Sequence, residues 1–287
     1  MKPLPFLIPK STQQSIHLQE DRQPYLYDYL HQHREIQISL ILKGEGQLIA
    51  GEYLGRFGPG DIYVIGSNVP HVFKNDQEYY RADSNKYAHM VSVYFIWDTF
   101  GTTFLNLPEM KPIFDHRLIL DRGLKINGIA QQQLTDSIHQ LWTLDGPDRL
   151  FQLFKLLQGI HNLKPYHFLT QGTTLQLSPS QGERLDVIYR FTMDHYQRSI
   201  TLEEVAQQVF LSVTSFCRYF KKSTRKTYFE FLSEVRVGQA CRLLQKEKEQ
   251  PIYSIAYEVG FNNIANFNRQ FKRIMGLTPT AYRESLG

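Results

Sequence analysis

The sequence predicts a two-domain α+β protein: a β-rich N-terminal domain that carries a helical segment, followed by an all-α C-terminal domain. Three observations predict it. Residues 31–100 are rich in glycine, β-branched and aromatic side chains that alternate with period two, the pattern of strands with one buried face. Residues 183–287 carry helical periodicity almost throughout. Within that second stretch one seven-residue phrase occurs twice, FCRYFKK from Phe216 and FNRQFKR from Phe267, apolar at its first and fifth places and basic at its third, sixth and seventh.

The chain has 287 residues, 42% of them hydrophobic, enough to bury about two cores of ordinary domain size. The expected boundaries are residues 1–168, a linker over 169–182, and residues 183–287. Pro3, Pro5 and Pro9 interrupt the apolar stretch MKPLPFLIPK, so no signal-peptide core is expected there, and no run of about 18 apolar residues occurs. A cytoplasmic protein with no membrane partner is expected. Two cysteines, Cys217 and Cys241, are too few for a disulfide framework or a zinc-thiolate site and read as free thiols. The net charge of +4 is unevenly placed. Residues 1–182 hold 16 basic and 17 acidic side chains, residues 183–287 hold 16 and 11. The positive charge therefore belongs to the C-terminal domain, and an anionic partner is expected there.

In the N-terminal domain, LHQHREIQISLILKGEGQLIAGEYLGRFGPGDIYVIGSNVPHVF alternates between turns at residues 44–46 and 58–61. The stretch resembles a cupin, a small β-barrel of the jelly-roll kind. The resemblance implies that two histidines and a carboxylate from a first motif meet a histidine from a second, and these places fall on His31, His33, Gln37 and His71. Strand parity groups residues 31, 33 and 37 on one face. The carboxylate's place is held by Gln37, a neutral and weaker ligand, while Glu35 has the right parity but the wrong offset from Gly44.

Three readings of that cluster stand side by side: a cupin-type metal enzyme with an accessory helical domain, a sensor assisted by a divalent metal, and a metal-free pocket. In the pocket the imidazoles hydrogen-bond a small polar effector, such as a sugar or related acid, or satisfy one another. The missing carboxylate and the attached helical domain favour a pocket over a catalyst. Ser39, Tyr63 and Tyr94 read as core or rim.

The helical segment, about residues 124–164, contains GLKINGIAQQQLTDSIHQLWTL and DRLFQLFKLLQGIHNL, which read as two helices. The second carries Leu150, Leu153, Phe154, Leu157 and Ile160 along one stripe. An apolar stripe outside a β-rich core needs a partner, so homodimerisation through this helix is expected. The linker follows as LTQGTTLQLSPSQGE, a stretch with little to bury.

Aligned on the repeated phrase, Phe216/Phe267, Arg218/Arg269, Phe220/Phe271 and Lys221/Lys272 are 51 apart, whereas Ala206 and Ala256 are 50 apart. One residue has been added in the intervening turn. Each copy opens with a short helix, TLEEVAQQV with Thr201 and Glu204 spaced as a capping box, and PIYSIAYEV with Pro251 at a first-turn position and Gly260 beyond its end. Ser212 and Asn263 stand where an N-cap is wanted, and each launches a helix whose Val213/Phe216/Phe220 or Ile264/Phe267/Phe271 stripe faces inward. This is a helix-turn-helix written twice. The opposite faces show Thr214, Ser215, Arg218 and Lys222, and Ala265, Asn268, Arg269 and Arg273, side chains suited to groove edges and phosphates.

Residues 185–283, including ACRLLQKEKEQPIYSIAYEVGFNNIANFNRQFKRIMGLTPTAYR, resemble the DNA-binding domain of the AraC/XylS family of transcription regulators. The resemblance implies seven helices in two helix-turn-helix subdomains joined by a long helix, here about residues 228–246, with Thr227 and Glu230 as its capping box. It further implies two recognition helices in successive major-groove segments, about 34 Å apart, on double-stranded operator DNA. Thr214, Cys217 and Arg218, and Ala265, Asn268 and Arg269, would then face base edges, and Lys221 and Lys272 would meet phosphates. A homodimer would set four such helices on two half-sites, and an activator would also touch RNA polymerase. The family's glycine after each recognition helix is present as Gly276 but replaced by Arg225 in the first copy, where a left-handed turn costs about 1 kcal/mol.

Overall fold

The alternation of residues 36–65 folds as strands, and a computed structural model describes residues 14–126, 130–163, 165–170, 179–247 and 249–285. The chain divides into two units, Met1–Pro179 and Ser180–Gly287. Residues 171–178, most of the expected linker, lie outside the described residues.

The first unit contains β1 (Ile16–Gln23), β2 (Ile36–Lys43), β3 (Gly46–Ala50), β4 (Tyr53–Phe57), β5 (Ile62–Ile65), β6 (His71–Asn75) and β7 (Ala88–Phe95). Three short helices follow, α1 (Thr102–Leu105), α2 (Lys111–Asp115) and α3 (Arg117–Leu120). Then come β8 (Leu124–Ile126), α4 (Ala130–Thr143), α5 (Gly146–His161) and β9 (His167–Phe168). The strands form an antiparallel six-stranded sheet in the order β1-β7-β2-β5-β8-β9 and a three-stranded sheet in the order β4-β3-β6.

Strand β2 is shared by two environments, because successive side chains of a strand point to opposite faces. Ile36, Ile38 and Leu40 pack with Val64, Val93, Ile138, Leu157 and Ile160 in a core between the large sheet and helices α4 and α5. Ile41, on the other parity, joins Tyr63 and Ile65 of the large sheet and Leu48, Phe57 and Phe73 of the small one. Gln37 and Ser39 share that second side and are both buried. The two sheets therefore enclose an apolar cluster and, along the same face of β2, a polar one.

Two expectations about this unit are corrected. Residues 124–126 begin no helix: they are strand β8, with Lys125 opposite Tyr63 of β5 and Leu124 opposite Phe168 of β9. Leu124 and Ile126 alternate as buried residues, and Gly123 enters with φ 67°, so the local period is two over too short a run to read. The stripe on α5 also has its partner within the chain. Leu153, Leu157 and Ile160 are fully buried and Phe154 nearly so, against the large sheet and α4. Leu150, the outermost member of the stripe, is half-buried against the same core, so the stripe by itself does not require a second copy.

The second unit is helical: α6 (Pro179–His195), α7 (Leu202–Gln208), α8 (Val213–Thr224), α9 (Tyr228–Lys246), α10 (Ile252–Glu258), α11 (Ile264–Met275) and α12 (Pro279–Glu284). Thr201 and Thr227 close capping boxes with Glu204 and Glu230, and Ser212, Asn263 and Thr278 accept from the first-turn amides of their helices. Pro251 is the N-cap of α10, with ψ 139°, one place earlier than a first-turn residue. Long helix α9 packs on α8, α10, α11 and α12 and so carries both motifs. Phe216 and Phe220 meet Tyr228 and Phe231, and Phe267 and Phe271 meet Phe261 and Tyr282. Val213 and Ile264, at the outer ends of the two stripes, are half-buried.

Candidate nucleic-acid interface and a buried imidazole cluster

The two turns share their closing backbone bond. Leu211 N–H donates to Ala206 O at 3.0 Å, and Phe261 N–H donates to Ala256 O at 2.9 Å. Ser212 then caps α8 directly, whereas Asn262 intervenes before Asn263 caps α11. The inserted residue thus lies after the shared turn. Both caps hold their helices at the N-terminal end, the end that carries the first base-facing candidates.

On α8, Thr214, Ser215, Cys217, Arg218, Lys221 and Lys222 are all exposed, and so are Ala265, Asn268, Arg269, Lys272 and Arg273 on α11. The buried phenylalanines occupy the opposite sides. Arg218, Lys222 and Lys272 form no ion pair among the described residues, while Lys221 acts on the nearby Glu230 carboxylate. Ser215 is partly engaged, since Ser212 Oγ donates to its hydroxyl at 3.0 Å. Arg269 donates to Asn266 Oδ1 at 2.9 Å, and Arg273 to Gln270 Oε1 at 2.9 Å. These two amides were not singled out from sequence, although their i, i+3 spacing on a helix is the signal that would have found them.

The N-terminal cluster brings His31, His33, Gln37 and His71 together, but by a different route from the one strand parity suggested. β2 begins only at Ile36, and residues 32–35 run irregularly before it. His31 instead pairs with His71 through an isolated antiparallel bridge, with backbone hydrogen bonds of 3.1 and 2.8 Å. Ring centroids lie 4.3 Å apart for His31 and His71 and 5.0 Å for His33 and His71. Possible ligand atoms of the three histidines fall within 4.8 Å of one another.

Gln37 sits in their midst, with Oε1 3.0 Å from both His33 Nε2 and His71 Nε2 and its amide nitrogen 2.8 Å from Ser39 Oγ. Ser39 and Ser92 hydroxyls are 2.8 Å apart, extending the network across β7. Tyr94 packs its ring edge-on to His33, while Tyr63 belongs to the apolar cluster and donates to Arg56 O. Burial lowers the pKa of all three imidazoles, His31 to about 4 and His71 well below its ordinary value, so the rings are neutral at physiological pH. Glu35, set aside on its offset, places a carboxylate oxygen 3.7 Å from His33 Nδ1.

Comparison with known proteins adds a family to this geometry. A helix-turn-helix domain family matches residues 205–285, across both motifs. The uncharacterized HTH-type transcriptional regulator YdeC of Bacillus subtilis is 28% identical over 269 residues, 90% of this chain and 87% of that protein. The melibiose operon regulatory protein of Escherichia coli K12 is 21% identical over 277 residues, covering 92% and 86%. The Msm operon regulatory protein of Streptococcus mutans is 22% identical over 258 residues, covering 87% and 84%.

The chain is a DNA-binding transcription regulator of the AraC/XylS type.

The relatives of this AraC/XylS-type regulator are regulators and not enzymes, which removes the reading of the imidazole cluster as a catalytic metal centre. Among the described residues no helix of the regulator is long and apolar enough to cross a membrane.

Proposed function

We propose that this regulator reads operator DNA with the exposed faces of α8 and α11 and is controlled by a small polar effector bound at His31, His33, Gln37 and His71. The observation that carries the DNA reading is the equivalence of two capped helices on one α9, each exposing an arginine at the same offset, Arg218 and Arg269. In this reading residues 1–168 form a cupin-like barrel, supported by two antiparallel sheets that enclose the polar cluster. Residues 183–287 form the DNA-binding domain and residues 169–182 the linker. Thr214, Cys217, Arg218, Ala265, Asn268 and Arg269 face bases, and Ser215, Lys221, Lys222, Lys272 and Arg273 serve the backbone and groove edges.

A homodimer in the cytoplasm would place four recognition helices on two half-sites, and an activator would add contact with RNA polymerase. Relatives that govern the melibiose and Msm operons support an effector-controlled role. Genome-wide mapping of bound sites, followed by binding of the full chain to those duplexes, tests the proposal. Affinity is expected to fall steeply as salt rises while preference over random duplex persists. Equal affinity for mapped and random DNA would sink it.

A further inference from the structure

Helix α9 carries Phe229, Ser233 and Arg236 in one row, and α11 carries Asn266, Gln270 and Arg273 in another, each at spacings of four and three that set them on one side of the helix. The two rows line a cavity of about 490 Å³, a size within the range of small-molecule sites, and Leu232 and Phe261 complete its apolar wall. On α11 these residues lie on the flank between the buried Phe267 and Phe271 and the exposed Asn268 and Arg269. Phe229 is 50% exposed beside them, an aromatic ring that neither helix-turn-helix core takes in.

The polar groups around the cavity are engaged unequally. Glu230 accepts both the N–H and the hydroxyl of Thr227 on one oxygen, and Lys221 and Arg273 act on its charge, so it is compensated within the chain. Asn266 Oδ1 accepts from Arg269 Nη2 at 2.9 Å, and Gln270 Oε1 accepts from Arg273 Nε at 2.9 Å. Each amide commits its oxygen to an arginine and leaves its NH2 group without an acceptor among the described residues. Arg273 donates only from Nε, and Arg236 only from Nε and Nη2, to the carbonyls of Tyr196 and Arg198. What stays uncommitted is a set of donors, both guanidinium groups included, beside an aromatic wall.

We propose that this cavity binds a small organic acid with an aromatic or branched apolar body, its carboxylate taken by Arg273 and the NH2 groups of Asn266 and Gln270, its body held against Phe229, Leu232 and Phe261. A carboxylate only accepts, so it meets the donors the chain leaves open, and its bonds to a guanidinium are charge-assisted. Leu232 and Phe261 are each 3% exposed, which sets the apolar wall at the back of the cavity, where a detached molecule reaches and a DNA strand held in its duplex does not. By accepting from both NH2 groups the acid fixes the two amides in the orientation in which their oxygens hold Arg269 and Arg273, and bonds joined in this way strengthen one another. An occupied cavity thus sharpens base discrimination by Arg269. The site is separate from the effector reading of the N-terminal unit, and only this consequence rests on Arg269 reading bases.

The test is fluorine NMR titration of the full chain with 4-fluorophenylacetate, with the neutral 4-fluorophenylacetamide as control. Saturable binding of one acid per chain is expected, with the amide weaker by about tenfold or more. Gln270→Ala should weaken acid binding by about tenfold, and Phe229→Ala, at an exposed position, by about fivefold. At saturation the acid should raise the preference for a mapped operator over a duplex altered at the Arg269 base pair by about fivefold, and that operator should tighten acid binding by the same factor relative to the altered duplex. Asn266→Ala should abolish the gain. Absence of saturable binding would overturn the proposal, and so would binding indifferent to both Gln270→Ala and Phe229→Ala. Weaker duplex binding by these two variants without any acid binding would assign the cavity to the DNA backbone instead. Acid binding in the cavity that leaves operator preference unchanged would overturn its regulatory consequence. A chain with no operator preference in the absence of acid marks failure of the DNA reading, and the titration, made without DNA, still decides the site.

Discussion

Phe210 and Gly260 stand at the same place in the two helix-turn-helix turns, and both hold the left-handed conformation, with φ of 55° and 92°. The glycine is obligatory: a Cβ there would lie 2.4 Å from Tyr196 O. Phe210 does carry a Cβ, and its ring is 96% exposed, so no packing offsets the strain. Arg225 and Gly276, with φ of 58° and 75°, repeat the asymmetry at the ends of the recognition helices. The first motif therefore carries two strained residues where the second carries glycines.

Phe210→Gly is expected to stabilise the C-terminal unit by about 0.5–1 kcal/mol, the relief of the left-handed turn less the added freedom of the unfolded chain. Gly260→Ala should destabilise it, since the clash is with backbone. Calorimetric melting of the two variants checks the pair. A Phe210→Gly protein that melts at or below the parent temperature would show that the turn holds no strain.

Arg269→Ala is expected to lose discrimination at one or two base pairs, costing about 1–3 kcal/mol on the preferred site, whereas Lys272→Ala should weaken all sequences alike. Because Asn266 accepts from Arg269, Asn266→Ala should reproduce part of the Arg269 effect without removing a charge. Competition binding against single-base operator variants reads all three. A uniform loss from Arg269→Ala would place it on the phosphates.

Glu204 and Glu230 accept from the backbone N–H groups of Thr201 and Thr227 at 2.8 and 2.7 Å, and these bonds hold both carboxyls below their ordinary value of 4.5. A depressed folded-state pKa contributes stability that is complete above the unfolded value and is lost as pH falls through the folded one. The C-terminal unit should therefore weaken on acidification below about pH 4.5, and Glu230→Gln should flatten that loss. Thr227→Ala should cost about 1 kcal/mol near neutrality. Thermal melts followed by far-UV ellipticity across this pH range supply both numbers, and a Glu230→Gln profile parallel to the parent's would remove the cap from the account.

Leu157→Ala should destabilise the N-terminal unit by about 2–5 kcal/mol, because its side chain is fully buried against the sheet. Denaturant unfolding measures this directly. An unchanged midpoint accompanied by a change in oligomeric state would return the residue to an intersubunit surface.

The helical unit was the more legible part because its signals are local. Capping pairs three residues apart, phenylalanines three and four apart and a fifty-residue repeat all sit within a few turns of the contacts they specify, and α9 spans the residues expected of it. The N-terminal unit depends on pairings between distant residues. Leu124 and Ile126 make a strand only because β5 and β9 lie beside them, and the α5 stripe looks unpartnered until the sheet is folded. His31, His33, Gln37 and His71 could be named from spacing, yet the bridge between His31 and His71 and the carboxylate of Glu35 behind His33 required three dimensions.

Strand β2 has a mechanical consequence. Gln37 reaches into the polar cluster, while its neighbours Ile36 and Ile38 are wedged among the helix-facing side chains with 1% and 0% exposure. Close-packed interiors transmit strain and compress little, so a shift of the backbone at residue 37 cannot be absorbed locally. A ligand that displaced the backbone at residue 37, rather than merely turning the amide, would press on α4 and α5 through one peptide unit, with β2 as a short, stiff pushrod between the polar cluster on one side of the sheet and the helices on the other.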